Sequence, residues 1–113
     1  MKLERRSLMY TVTNRIKVKK GYAHKMAPAF TKPGPLQEFD GFVKVEVAIC
    51  TTFEEFDEMS VVMYWESLDG FEAWRNSDAF KHAHKRPESG KEGESPMLGS
   101  QIVIAEIVSS IGK

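Results

Sequence analysis

Residues Tyr64–Lys85 read YWESLDGFEAWRNSDAFKHAHK. The stretch leaves an apolar strand at Trp65, turns at Ser67–Gly70 and enters a helical segment that is broken in the middle. Phe71 and Trp74, three residues apart, share one face of a short helix over Leu68–Arg75. Asn76-Ser77-Asp78 is a helix-start signal, so a second piece begins with Ser77 as its cap and carries Phe80, Ala83 and His84. The break matters. In one straight helix, residues as far apart as Trp74 and His84 would be separated by ~15 Å along the axis and face different directions. With a bend at the cap, both can line one cavity. Both tryptophans and two of the three histidines, His82 and His84, lie in this stretch. A histidine able to bind metal and a large aromatic at fixed separation suit a pocket for a flat, metal-bearing ligand. The plainer reading is surface and core residues of a small domain.

Before this stretch, MYTVTNRIK (Met9–Lys17) alternates: Tyr10, Val12, Asn14 and Ile16 share one strand face, with Thr11, Thr13 and Arg15 on the other. Asn14 is the oddity of the apolar row. A buried amide costs ~1–3 kcal/mol unless it finds partners. Asn14 therefore either pairs with a neighbouring backbone or points into a cavity as a donor. Tyr22, Met26 and Phe30 follow at helical spacing, in a helix expected to be kinked or shortened at Pro28. His24 lies off that stripe and reads as exposed. TKPGP (Thr31–Pro35) is a loop, and Phe39-Asp40-Gly41 a turn. FVKVEVAIC (Phe42–Cys50) and Met59–Trp65 are strands joined by an acidic loop, Thr51–Glu58.

After the organising stretch, RPESGKEGES (Arg86–Ser95) has no apolar anchor and reads as a mobile loop; its place just after His84 suits a lid or a pocket rim, though a solvated loop with no role is the commoner case. QIVIAEIV (Gln101–Val108) is the last strand. The order β-α-β-β-α-β is the ferredoxin-like pattern, an α+β fold. Val61–Trp65 and Ile102–Ala105 are continuous apolar runs, which ask for cover on both sheet faces. Two helices cover one face, and a second copy packed sheet against sheet would cover the other, giving a two-fold homodimer.

The 113 residues suit a single domain over 1–113, with residues 1–8 a loose N-terminal tail. Sixteen Lys plus Arg balance sixteen Asp plus Glu, so the chain lacks the basic excess of a nucleic-acid module or a polybasic membrane-surface protein. Cys50 is the single cysteine, which excludes an intrachain disulfide and suits a reducing compartment. MKLERRSLMY is not followed by the apolar run of a signal peptide, and no stretch approaches the ~20 apolar residues of a membrane span. A soluble, cytoplasmic protein is expected.

The segments EFDGF (Glu38–Phe42), EFDE (Glu55–Glu58), F-x-x-W-x-x-S-D-x-F-x-x-A-H-K (Phe71–Lys85) and ESPMLGSQI (Glu94–Ile102) resemble the IsdG-type haem-degrading monooxygenases. These belong to the antibiotic-biosynthesis-monooxygenase group of dimeric α+β barrels. The likeness runs from about Tyr10 to Val108. The family's Asn on the first strand, Trp and His match Asn14, Trp74 and His84 at the family's spacing. Pro28 and a longer N-terminus depart from the pattern without touching these three.

The resemblance implies that haem b is both substrate and cofactor, held non-covalently because no CxxCH motif is present. It implies His84 as the proximal ligand to the iron, Asn14 as donor to oxygen on the opposite side, and Trp74 pressing on the macrocycle and ruffling it. O2 and an external reductant, an electron-donating reductase, would complete the reaction, since no flavin or nicotinamide motif is visible. The products would be an opened, biliverdin-type tetrapyrrole and free iron. His82 is the backup ligand, Trp65 suits the core or a dimer interface, and Cys50 a buried or interface position. Arg15 and Lys85 could meet the propionates, though ordinary surface charge explains them as well. Two other functions fit the same residues: a haem-binding or transfer protein without turnover, and a cofactor-independent monooxygenase of the wider group acting on an aromatic or quinone-like substrate.

Overall fold

The computed structural model describes residues 9–83 and 96–113, with His82 and Ala83 through their backbone alone. The expected tail at 1–8, His84, Lys85 and the loop at 86–95 lie outside the described residues. The elements run β1 (Met9–Lys19), α1 (Ala23–Met26), a 3-10 turn (Ala27–Phe30), a second 3-10 turn (Pro35–Glu38), β2 (Phe42–Cys50), β3 (Phe56–Trp65), α2 (Leu68–Arg75), α3 (Asp78–Ala83) and β4 (Met97–Ile107). The strands form one antiparallel sheet in the order β2-β3-β1-β4. This is the expected α+β, ferredoxin-like arrangement.

Alternation in β1 sets which face is buried. Val12, Ile16 and Val18 are buried, while Arg15 and Lys17 point to the other side. The register carries the same face across the sheet, because directly opposed residues share a side. Two clusters cover it. Ile16, Val18, Met59 and Val61 pack with Ala23, Met26, Ala27 and Phe30 beneath α1 and its 3-10 continuation. Val12 and Trp65 pack with Phe71 and Trp74 of α2. Pro28 ends the α-helical hydrogen bonding as expected: α1 closes at Met26 and the chain tightens into the 3-10 turn. Tyr22, expected on the buried stripe, is exposed, because it precedes the first helical turn.

Strand boundaries differ from expectation: β1 runs on to Lys19, β4 ends at Ile107, and two strands start earlier. β3 begins at Phe56, so Asp57 and Glu58 belong to the strand and not to the acidic loop. Both carboxylates find cations within the sheet region. Glu58 accepts from Arg15 Nε at 2.8 Å on the outer face. Asp57 is buried, and accepts from the Gly21 amide and from Lys20 Nζ, both at 3.0 Å. Likewise β4 starts at Met97, four residues early, because β1 continues to Lys19 and offers it a partner strand across a register shift at Lys17/Val18.

Asp57 thereby pins the β1–α1 turn, where Gly21 has φ +89° and any side chain would be strained. The Gly21 amide bond, then Lys20, hold the Asp57 carboxyl below its ordinary value. A depressed carboxyl contributes stability that is present above the unfolded-state value and lost as pH falls through the folded one. Asp57→Asn should therefore lower Tm at neutral pH, and the gap to the parent should close as pH falls below ~4, the ordinary carboxylate range. Thermal melts across that range test it.

Helix α2 starts with Ser67, whose Oγ accepts from the Gly70 amide at 3.3 Å. Gly70 lies against the sheet end. A Cβ there would collide with the Asp40 carbonyl oxygen and meet Trp65 Cε3 at 3.0 Å. Gly to Ala inside a helix ordinarily gains ~1 kcal/mol. Here the backbone oxygen cannot give way, so Gly70→Ala should instead cost ~1–3 kcal/mol, the usual range for overpacking. Denaturant melts read the sign directly.

The outer sheet face is mixed, not continuously apolar. Arg15 pairs with Glu58, and Lys44 bonds Glu46 at 3.1 Å and lies 4.8 Å over the Tyr64 ring. Val62 and Tyr64 are half-buried among them. The apolar runs expected to need cover on both sides divide by alternation: Val61, Met63 and Trp65 face the helices, Val62 and Tyr64 the outer side.

Candidate haem-binding site

Asn14 stands where the two clusters meet. On the helix-facing side it is opposed by Val61 on β3 and by Ile102 on β4, and Val61 by Val47 on β2. The row across the sheet is thus Val47, Val61, Asn14, Ile102: one amide in an otherwise apolar line. Its Oδ1 is buried and has no hydrogen-bond partner among the described residues. The sequence left open whether this asparagine pairs with backbone or faces a cavity, and the structure provides no backbone partner for that oxygen. Leaving a buried acceptor unmade costs ~1–3 kcal/mol, and nothing in the packing of the sheet requires it.

Beside Asn14, towards the sheet edge, the helix-facing side carries exposed apolar residues. Ile102 opposes Asn14 and Ile104 opposes Val12, yet they are 56% and 47% exposed. They form an apolar shelf that the sequence marked only as strand. Its signal was present in the alternation of Ile102 and Ile104 with Val103, but their exposure was not.

Trp74 belongs to the same buried cluster as Val12. The indole is 6% exposed and meets two rings edge-on: Phe39 at 5.5 Å and 76°, and Phe80 at 5.4 Å and 87°. The helix break is built as expected. Ser77 Oγ accepts from the Phe80 amide at 3.1 Å and donates to the Trp74 carbonyl at 2.7 Å. Trp65, expected in the core or at an interface, is fully buried in the α2 cluster. Asn14 and Trp74 both belong to the helix-facing side of the sheet, Asn14 in the β1 row that includes Val12 and Trp74 in the cluster that includes Val12. His84, one residue past the end of the described α3, is outside the described residues. Phe39 is a neighbour of Trp74 that the sequence reading missed; its place in a turn hid it.

A separate open groove of about 780 Å³ is lined by Glu38, Phe39, Asp40, Gly41, Glu66, Ser67, Asp69, Gly70 and Ala73. Its four carboxylates, Glu38, Asp40, Glu66 and Asp69, would repel an anionic ligand. Among the described residues no group of three or more His, Cys, Asp or Glu could hold a bare metal ion.

The antibiotic biosynthesis monooxygenase family model matches residues 9–86. A haem oxygenase (staphylobilin-producing) of Staphylococcus saprophyticus is 48% identical over 103 residues, 91% of this chain and 99% of that one. Its namesake from Staphylococcus haemolyticus is 47% identical over the same shares. Among solved structures, a Bacillus cereus protein assigned as an antibiotic biosynthesis monooxygenase superposes with TM-score 0.77 at 21% identity, covering 93% of this chain and 98% of that one. The haem degrader MhuD of Mycobacterium tuberculosis, with two haems in its active site, superposes with TM-score 0.65 at 21% identity over 91% and 99%. At such identities the two structures speak for the fold alone. The chain belongs to the antibiotic biosynthesis monooxygenase family, as an IsdG-type member.

Proposed function

We infer that this protein is a haem-degrading monooxygenase, which opens the haem ring oxidatively and releases the iron. Relatives 45–48% identical over nine-tenths of the chain carry the name of haem oxygenases that produce staphylobilin, and a staphylobilin-type tetrapyrrole is the product we propose here. The observation that carries the reading is Asn14: an amide whose buried Oδ1 has no partner among the described residues, in an apolar row beside the exposed Ile102 and Ile104 and on the sheet face of the Trp74 cluster.

These residues fit a haem. The shelf of Ile102 and Ile104 supplies apolar surface for a macrocycle, and Val12 and Trp74 continue it. With Oδ1 turned inward, Nδ2 of Asn14 is the end available to donate a hydrogen bond across the slot. Trp74, backed by other rings, presses on the macrocycle. His84 lies one residue beyond α3 and is proposed as the iron ligand, its neutral imidazole being one of the few axial ligands haem uses. When bound, the haem iron supplies the redox chemistry for which no side chain is suited. O2 is proposed as oxidant. Ring opening by O2 consumes electrons, so an external donor, a reductase in the cell, is part of the proposal. No helix among the described residues is long and apolar enough to cross a membrane; the cytoplasm is the proposed place of work.

The second copy belongs to the same proposal. Val62, Tyr64 and Val103 on the outer face, with Thr11 and Thr13 between them in register, give a surface for sheet-to-sheet packing about a two-fold axis. Sedimentation at micromolar concentration should give twice the chain mass.

Titration with haemin followed by ascorbate in air tests the function. Binding should shift and sharpen the Soret band. Ascorbate should then bleach it, with an opened tetrapyrrole in the mass spectrum and chelatable iron in solution. A Soret band that survives the reductant would make the protein a haem carrier. No Soret change on titration would leave a family member acting on another aromatic substrate.

A further inference from the structure

We propose that Phe39 and Phe80 are positioning residues for haem degradation: two edge-on rings that hold the Trp74 indole against the macrocycle. The proposal rests on the haem-degrading reading for its consequence, but its physical core concerns the indole alone.

An indole that bends a flat ligand must itself be unable to retreat. Trp74 turns about two side-chain bonds and sits on a helix that ends one residue later, at Arg75. A helix backbone does not by itself fix the rotation of a side chain on it. The two phenyl rings can, because they meet it at 76° and 87° from two separate elements. Edge-to-face is the geometry that aromatic quadrupoles favour, so each contact resists rotation of the indole as well as filling space.

Each phenyl ring is in turn fixed through its backbone. The Phe39 amide donates to the Leu36 carbonyl at 3.2 Å, and the Phe39 carbonyl accepts from the Phe42 amide at 3.1 Å. Phe80 is tied to Trp74 itself: the one Ser77 hydroxyl binds both the Trp74 carbonyl and the Phe80 amide. The helix break thus sets the distance between the two rings. Phe39 also lines the 780 Å³ groove. A smaller side chain at 39 would open room beside the indole towards that groove, and the indole could withdraw from a ligand.

The test uses the full chain labelled with 5-fluorotryptophan, in the parent and in Phe39→Leu and Phe80→Leu. The chain has two tryptophans, and Trp65→Phe assigns their two fluorine lines. In the ligand-free protein the Trp74 line is expected to broaden or split in both variants, while the Trp65 line stays as in the parent. The cyanide complex of the haem-loaded variants is expected to show meso-carbon shifts moved towards those of a planar haem. Degradation should slow by about ten- to a hundredfold, the scale of a small misplacement of a reacting group, with haemin affinity little changed. Phe39→Met and Phe80→Met, of nearly conserved volume but flexible, replace any leucine variant that fails to fold. A sharp, unshifted Trp74 line in the variants overturns the proposal, whether or not haem binds. A broadened line in a protein that takes up no haem upholds the clamp and sinks the haem reading instead.

Discussion

Asn14→Ala is expected to leave haem bound and to stop its degradation. Removing one donor aimed at a reacting oxygen typically costs 10²–10³ in rate, about 3–4 kcal/mol, and turnover in ascorbate should fall by that order. Stability should move the other way or not at all. The parent keeps Oδ1 buried with no partner among the described residues, a cost of ~1–3 kcal/mol that alanine removes. A structural asparagine would behave in reverse: Tm would fall with the substitution, and the rate would follow the loss of folded protein. Tm and single-turnover rate measured on the same sample separate the two. The pairing of a gain or no change in stability with a lost activity is what a residue retained for chemistry predicts.

His84→Ala is expected to abolish iron coordination. The Soret band should revert towards that of haem held by apolar contact alone, and affinity should fall by more than the ~10–100-fold usually lost when a mere supporting neighbour of a metal ligand is removed. Free imidazole added to the variant should restore the ligated spectrum. His82→Ala is the control. His82 is the backup ligand in the sequence, and its loss should leave the spectrum unchanged. An unchanged spectrum in His84→Ala would remove the ligand assignment.

Much of this was legible in the chain because the informative signals are local. The alternation of β1 placed Val12, Asn14 and Ile16 on one face, and made Asn14 conspicuous there. Pro28 shortened the first helix, and Ser77 broke the second pair, each through a backbone rule that needs no knowledge of distant residues. What escaped depended on partners far along the sequence. Asp57 and Glu58 read as loop because charge argues against a buried strand; their cations, Lys20 and Arg15, are 37 and 43 residues away. Met97–Ser100 contains a glycine and no clear alternation, and joins β4 because β1 is long enough to receive it. The outer sheet face, expected to be apolar, is a patchwork of ion pairs and half-buried side chains, since the continuous apolar runs split between the two sides.

Of the three proposed site residues, Asn14 and Trp74 come from the strand and helix that their patterns indicated, and His84 lies outside the described residues. Phe39 stands 35 residues before Trp74 in a turn, where nothing in the sequence pattern announces a ring contact. The shelf of Ile102 and Ile104 is likewise a property of the sheet order, which puts β4 at the edge beside β1 and away from the helices.

The central claim is that a planar iron porphyrin lies between the Asn14 amide and the His84 imidazole. A crystal structure of the protein with a redox-inert metalloporphyrin reads this directly. The ring should lie on Ile102 and Ile104, with Asn14 Nδ2 turned towards one face, His84 on the metal from the other and the Trp74 indole against the macrocycle. A porphyrin seated on the outer face beside Arg15 and Lys17, or one whose metal takes no bond from His84, would contradict it.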